Sequence, residues 1–214
     1  EPPWCPPSSR SRTRRKRHGA CGTWQTGWCP LVDKKFCIFD MDGTLVDSMH
    51  YWKGLGRAYL ERCGIWPDQR LLWMVQAMTM LEGAAYFMDT FSIPGPPERI
   101  VAALEEMMAG HYRTDVPLKP GVPAYLERLR AKGVRMCVAT ATAEPLARAC
   151  LERLGVAGYF ACILSCESLG RSKDSPEIYL EAARRLGGVP GETAVFEDAL
   201  YAARTAKAAG FYTV

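Results

Sequence analysis

No stretch of the sequence holds the roughly 18 consecutive apolar residues that a membrane-crossing helix needs. The charged N-terminal region has no apolar segment behind it, so no secretory signal is expected. From these two absences we expect a cytoplasmic protein that does not engage a membrane. The nine cysteines contain no Cys-x-x-Cys pair; the closest two, Cys162 and Cys166, have three residues between them. Cys37 and Cys137 fall inside apolar runs. Small buried thiols in a reducing compartment are therefore expected, not zinc ligands or a disulfide framework. The body of the chain also lacks an excess of either charge. The formal +4 resides in residues 1–30, which carry Arg10, Arg12, Arg14, Arg15, Lys16 and Arg17 against Glu1 alone. Residues 31–214 hold 21 basic and 22 acidic side chains. A near-neutral body argues against a nucleic-acid-binding surface.

What is present divides into unlike parts. Residues 1–32 are rich in Pro, Ser, Arg, Gly and Trp without any period, and read as a disordered basic tail foreign to the domain. The alternative is a basic arm that touches RNA, a membrane or a targeting receptor. The 214 residues are 48% hydrophobic, enough for a good-sized domain with a small companion.

From residue 35 onward, strands alternate with helices. Phe36-Cys37-Ile38-Phe39 is a short apolar run ending in Asp40, as expected of a buried parallel strand. Residues 134–139 form a second run, ending at Thr140. Residues 161–164 form a third, 193–196 a fourth that ends at Glu197-Asp198, and 211–214 a fifth. Helices are expected over 121–132, 144–154, 176–186 and 198–209, each stopped by glycine. This alternation predicts an α/β fold: a doubly wound, parallel, five-stranded sheet covered on both faces. Residues 47–113 contain no strand-like run. They read instead as four helices, including one over 48–63, one opened by the capping box Thr79-Met80-Leu81-Glu82, and one after Pro96-Pro97. The expected division is a core of 33–46 and 115–214 with a helical cap of 47–114 above the end of the first strand.

In open parallel sheets, ligands bind beyond the C-terminal strand ends. Asp40, Asp42 and Gly43 follow the first strand, Thr140 the second, Lys173 the third, and Glu197 and Asp198 the fourth. Such a rim suits phosphoryl transfer. Asp40, on the strand end, would attack phosphorus. Asp42 would protonate the leaving oxygen and then activate water. Carboxylates this close repel one another, so a magnesium ion is expected, held by Asp40, Asp198 and the backbone carbonyl of Asp42, with Glu197 orienting its water shell or pairing with a surface cation. Lys173 would counter charge on the nucleophile and phosphoryl oxygens. Thr140 would donate to a phosphoryl oxygen, and Gly43 would let backbone amides approach it. Bland alternatives stand beside these roles: Arg171 competes with Lys173, and Thr140 could be only a turn or N-cap residue. In the cap, Tyr51, Trp52, Trp66, Trp73, Met78 and Met80 read chiefly as bundle core. His50, Lys53 and Arg57 read either as leaving-group contacts or as a solvated face.

The run from Asp40 to Ser48, Asp-Met-Asp-Gly-Thr-Leu-Val-Asp-Ser, resembles the first signature of haloacid dehalogenase-type hydrolases. Thr140 fits their second, Lys173 with Pro176-Glu177-Ile178-Tyr179 the third, and Glu197-Asp198 the fourth. The resemblance spans 34–214 and implies the helical-cap branch, similar to phosphoglycolate phosphatase and β-phosphoglucomutase. It implies magnesium-dependent hydrolysis of a small phosphate monoester through an aspartyl-phosphate, by a monomer or weak dimer whose partner is a small phosphorylated metabolite. The alternatives are a sugar-phosphate mutase using the same intermediate and a non-catalytic phosphate-ligand-binding module. A dehalogenase proper would lack the acid at Asp42. Two departures stand out: Ala199 and Ala202 replace the usual Ser and Gly, and the last helix of the family is expected to be missing after Val214.

Overall fold

The computed structural model describes residues 34–75 and 78–214. The expected basic tail, 1–32, lies outside the described residues. Among the described residues the first element is strand β1 (Phe36–Phe39), followed by four helices: α1 (Met49–Arg62), α2 (Gln69–Val75), α3 (Met80–Phe91) and α4 (Pro97–Thr114). The chain returns through α5 (Val122–Ala131), β2 (Arg135–Thr140), α6 (Glu144–Arg153), β3 (Phe160–Ser165), α7 (Cys166–Leu169), α8 (Glu177–Leu186), β4 (Thr193–Phe196), α9 (Leu200–Ala208) and β5 (Tyr212–Thr213). The five strands form one sheet in the order β3-β2-β1-β4-β5, and every pairing is parallel. The connections diverge on either side of β1, which makes its C-terminal end the crevice of the sheet.

Both faces of the sheet are covered, which explains why the strands read as unbroken apolar runs. On one face Ile38, Cys137 and Val195 pack against Ile178, Tyr179 and Leu186 of α8 and Ala206 of α9. On the other, Phe39 stacks on Phe196 at 4.5 Å and meets Tyr125 and Phe160 edge-on. Cys37, Cys137 and Cys150 are buried, while Cys63 is exposed and Cys162 and Cys166 are half-buried. Among the described residues no helix is long and apolar enough to cross a membrane.

The helical insert obeys local rules. Thr79 Oγ1 accepts from the Glu82 amide at 3.2 Å, and Glu82 returns the bond to the Thr79 amide at 2.8 Å, so the expected capping box is formed. Pro97 opens α4, where a missing N–H costs nothing. The insert's core is built from Leu55, Leu60, Phe87, Ile100, Leu104 and Met108. The expectation that Tyr51, Trp52, Trp66, Trp73, Met78 and Met80 form this core is corrected: none of the six is buried, and Trp66 and Trp73 are 79% and 68% exposed. Trp66 sits in the loop after α1. On the two-turn helix α2, Leu72 takes the inward position and leaves its neighbour Trp73 outside.

The chain leaves and re-enters the core at one place. Val46 bridges Leu118 in antiparallel fashion, the Asp47 amide donates to Pro117 O at 2.9 Å, and the Lys119 amide donates to Leu45 O at 2.9 Å.

Candidate active site

Asp40 follows β1 directly, and its amide extends the ladder to Phe196 O at 2.9 Å, so its carboxylate stands beside the end of β4. Lys173, in the loop between α7 and α8, is 4% exposed and donates to Asp40 Oδ1 and, at 2.8 Å, to Glu197 Oε2. Tyr179 OH of α8 donates to the same Glu197 oxygen at 2.9 Å. One buried ammonium thus joins the carboxylates that end two adjacent strands. Burial pushes the Asp40 carboxyl up, to about 7, aided by the Glu197 and Asp42 charges and opposed by Lys173. Burial works against the Lys173 ammonium, but Asp40 and Glu197 more than offset it and hold its pKa above the ordinary lysine value. Of the two competing cations, the fold places Lys173 in the crevice and leaves Arg171 exposed. Glu197 pairs with this buried lysine and not with a surface cation.

Asp198 completes the group. One carboxylate oxygen from each of Asp40, Glu197 and Asp198 lies within 4.8 Å of the others, a spacing that could hold a metal ion. Gly43 shows why the residue between them must be small. Its φ is +81°, and a Cβ there would stand 1.9 Å from Asp198 Oδ2, so any side chain would displace the carboxylate. The Gly43 amide donates to Val46 O at 3.0 Å, which spends it on the turn and not on a ligand.

The Asp42 carboxylate turns away from this cluster. Its Oδ1 accepts from Ser48 Oγ and from Tyr112 OH, both at 2.6 Å, and its Oδ2 accepts from Thr142 Oγ1 at 2.7 Å. Three hydroxyls from three segments fix one carboxylate: Ser48 before α1, Tyr112 near the end of α4, and Thr142 after β2. Burial, then the charge and hydrogen bond of Asp42, push the Tyr112 phenol well above its ordinary value, so it remains a donor. Trp52 Nε1 donates to the same phenol at 3.2 Å. Thr140 is fully buried, and its Oγ1 accepts from the Thr142 amide at 3.0 Å, which poises the Thr142 hydroxyl over Asp42. The reading of the sequence missed Tyr112 and Thr142. Thr142 carried a signal, a second hydroxyl two residues after Thr140 in the same strand-end loop; Tyr112 carried none.

A cavity of about 730 Å3 opens over these groups, lined on the insert side by Met49, Trp52, Met80, Glu105, Met108 and Tyr112. Trp52 and Met80, expected in the core, are therefore cavity wall. Lys53 lines a separate apolar cavity within the insert. Arg57 donates to Gln69 and lies 3.6 Å from Glu61, and His50 stacks against Tyr51.

A family model described as haloacid dehalogenase-like hydrolase matches residues 34–210. The chain is 30% identical over 173 residues to the phosphorylated carbohydrates phosphatase of Thermotoga maritima, covering 81% of this chain and 80% of that protein. It is 32% identical over 185 residues to hexitol phosphatase A of Escherichia coli, with coverages of 83% and 80%. Among solved structures, a Thermotoga maritima protein assigned as a beta-phosphoglucomutase superposes with a TM-score of 0.74 at 29% identity, over 83% of this chain and 82% of that one.

Proposed function

The chain belongs to the haloacid dehalogenase-like hydrolases and is a phosphatase of that family, and from this premise we propose that it hydrolyses a small phosphate monoester through a phosphorylated Asp40. The observation that carries the reading is the unequal setting of the two aspartates. Asp40 touches a buried ammonium at the strand end. Asp42 is held by neutral hydroxyls on the side that faces the insert.

In the first step an Asp40 oxygen forms a bond to phosphorus while the ester P–O bond breaks, and Asp42 gives its proton to the departing oxygen. In the second, water attacks phosphorus, Asp42 takes the water's proton, and the Asp40–phosphorus bond breaks to release inorganic phosphate. Lys173 balances charge on Asp40 and on the phosphoryl oxygens throughout. The donor set fits magnesium, since Asp40, Glu197 and Asp198 offer oxygen alone. Bound there, with the Asp42 carbonyl as a further ligand, magnesium would neutralise phosphate charge and let an anionic nucleophile approach. In this reading Thr140 shapes the strand-end loop by accepting from the Thr142 amide, and its hydroxyl hydrogen stays available to a phosphoryl oxygen.

The division into a core of 33–46 and 115–214 and a cap of 47–114 belongs to this proposal, as do a cytoplasmic setting and a monomer or weak dimer. The relatives named for phosphorylated carbohydrates and hexitols support a substrate of that size. The test is phosphate release from a panel of phosphate esters with and without magnesium, with mass spectrometry of trapped protein. A phosphoryl group on Asp40 and magnesium-dependent release are expected. A label on Asp42, or isomerised sugar phosphate without released phosphate, would replace this reading, the latter with a mutase.

A further inference from the structure

The cavity already assigned to catalysis has an unbalanced wall. Six carboxylates line it, those of Asp40, Asp42, Glu105, Glu167, Glu197 and Asp198, and Lys173 supplies the one cationic side chain among its lining residues. That ammonium is spent on Asp40 and Glu197. Glu105 of α4 and Glu167 of α7 take no part in the chemistry, and among the described residues neither makes a side-chain hydrogen bond or an ion pair. One belongs to the insert and the other to the core. Of the hydroxyls on the cavity wall, those of Tyr112 and Thr142 are committed to Asp42, and the phenol of Tyr201 stands on the core side of the wall. The remaining insert wall is apolar: Met49, Met80, Met108 and the ring of Trp52, whose Nε1 is anchored on Tyr112.

A leaving group entering this space meets the unpaired carboxylates of Glu105 and Glu167, thioethers, an indole and the Tyr201 phenol. A second anion there would find no free cationic side chain among the cavity's lining residues and would face the like charge of Glu105 and Glu167. An ammonium would gain a carboxylate partner, together with the indole face for cation–π attraction. We propose that the site selects phosphate monoesters whose leaving group bears an amine, with Glu105 and Glu167 as the residues that read it. This rests on the phosphatase reading above and names the substrate class for it.

The test uses the full chain with magnesium and matched alkyl phosphates of two to six carbons, each ending in an amine, a hydroxyl or a carboxylate, with p-nitrophenyl phosphate as the reference ester. At the length that reaches Glu105 or Glu167, kcat/KM for the amine ester is expected to exceed that of the hydroxyl ester about tenfold and that of the carboxylate ester about a hundredfold. Glu105→Gln and Glu167→Gln should compress these ratios mainly through KM, and added salt should compress them in the wild-type protein. Hydrolysis of the hydroxyl or carboxylate ester as fast as the amine ester at every length, with the aryl ester still cleaved, would overturn the inference alone. Cleavage of none of the esters, the aryl one included, would overturn the phosphatase reading and the inference with it.

Discussion

On the core side of the site, carboxylates meet a cation; on the insert side, a carboxylate meets hydroxyls. Asp40 and Glu197 share the buried Lys173 ammonium, while Asp42 takes its three donors from Ser48, Tyr112 and Thr142. The two settings suit different work. A full positive charge stabilises the oxygens that gather charge during transfer. Neutral donors orient a carboxylate without holding a cation against it, which leaves it free to carry a proton out and back. Two of the three Asp42 donors come from the segments that lead into and out of the insert, so under the proposed roles the nucleophile is anchored in the sheet and the proton donor where the insert attaches.

Exchanging the character of the two aspartates breaks this contrast most severely. Asp40→Asn is expected to reduce turnover to background and to abolish covalent labelling. Asp42→Asn is expected to slow hydrolysis of alkyl esters by about 10²–10⁴-fold while still accumulating a phosphorylated Asp40 from acetyl phosphate. Mass spectrometry of trapped protein distinguishes them, and labelling of Asp40→Asn would erase the distinction between the two residues.

The cost of the core-side arrangement comes next. Lys173→Met leaves Asp40 and Glu197, with side chains 6% and 2% exposed, buried without their cation. Removing one partner of a buried pair typically costs about 3–5 kcal/mol. Urea denaturation in a metal-free buffer should show a loss of this size, partly recovered in Lys173→Met/Glu197→Gln. A loss under about 1 kcal/mol would mean that the pair behaves as a surface pair.

On the insert side, Tyr112→Phe removes one charge-assisted bond, worth about 1.5–3 kcal/mol. Hydrolysis of alkyl esters, which need a well-placed proton donor, should fall about 10–100-fold, and hydrolysis of p-nitrophenyl phosphate should change little. Equal losses on both substrates would make Tyr112 a packing residue. The smallest effect lies away from the site: Thr79→Ala breaks the capping box of α3 and should cost about 1 kcal/mol in thermal stability with kcat on the aryl ester unchanged. A change in kcat would mean that the far end of the insert bears on the chemistry.

Legibility followed the same contrast. The strand ends that carry Asp40, Thr140 and Glu197 were readable because a strand buried on both faces is a continuous apolar run whatever it packs against. Phe36–Phe39 and Thr193–Phe196 match the expected residues, and the second and third strands differ by one residue at their ends. The capping box was readable because its partners are three residues apart. Tyr112 was not readable. Its partner is 70 residues away, and nothing local distinguishes a tyrosine that packs from one that donates. The facing of α2 was hidden because adjacent Leu72 and Trp73 in so short a helix define no apolar stripe. The turn helix α7, four residues long, had no periodic signal at all.

The bridge between Val46 and Leu118 gives the insert the character of a cassette. Its two ends are fastened side by side on the core, so the sheet registers only that a chain departs and returns at that point. Closing such an excursion depends weakly on its length, since entropy grows only with the logarithm of the loop. Helices there could be lengthened, shortened or exchanged for those of a relative while the strands and their catalytic ends keep their register. Under the proposed roles, recognition could drift independently of chemistry only where Ser48 and Tyr112, which hold Asp42 from within the insert, are kept in a graft made between Asp47 and Pro117.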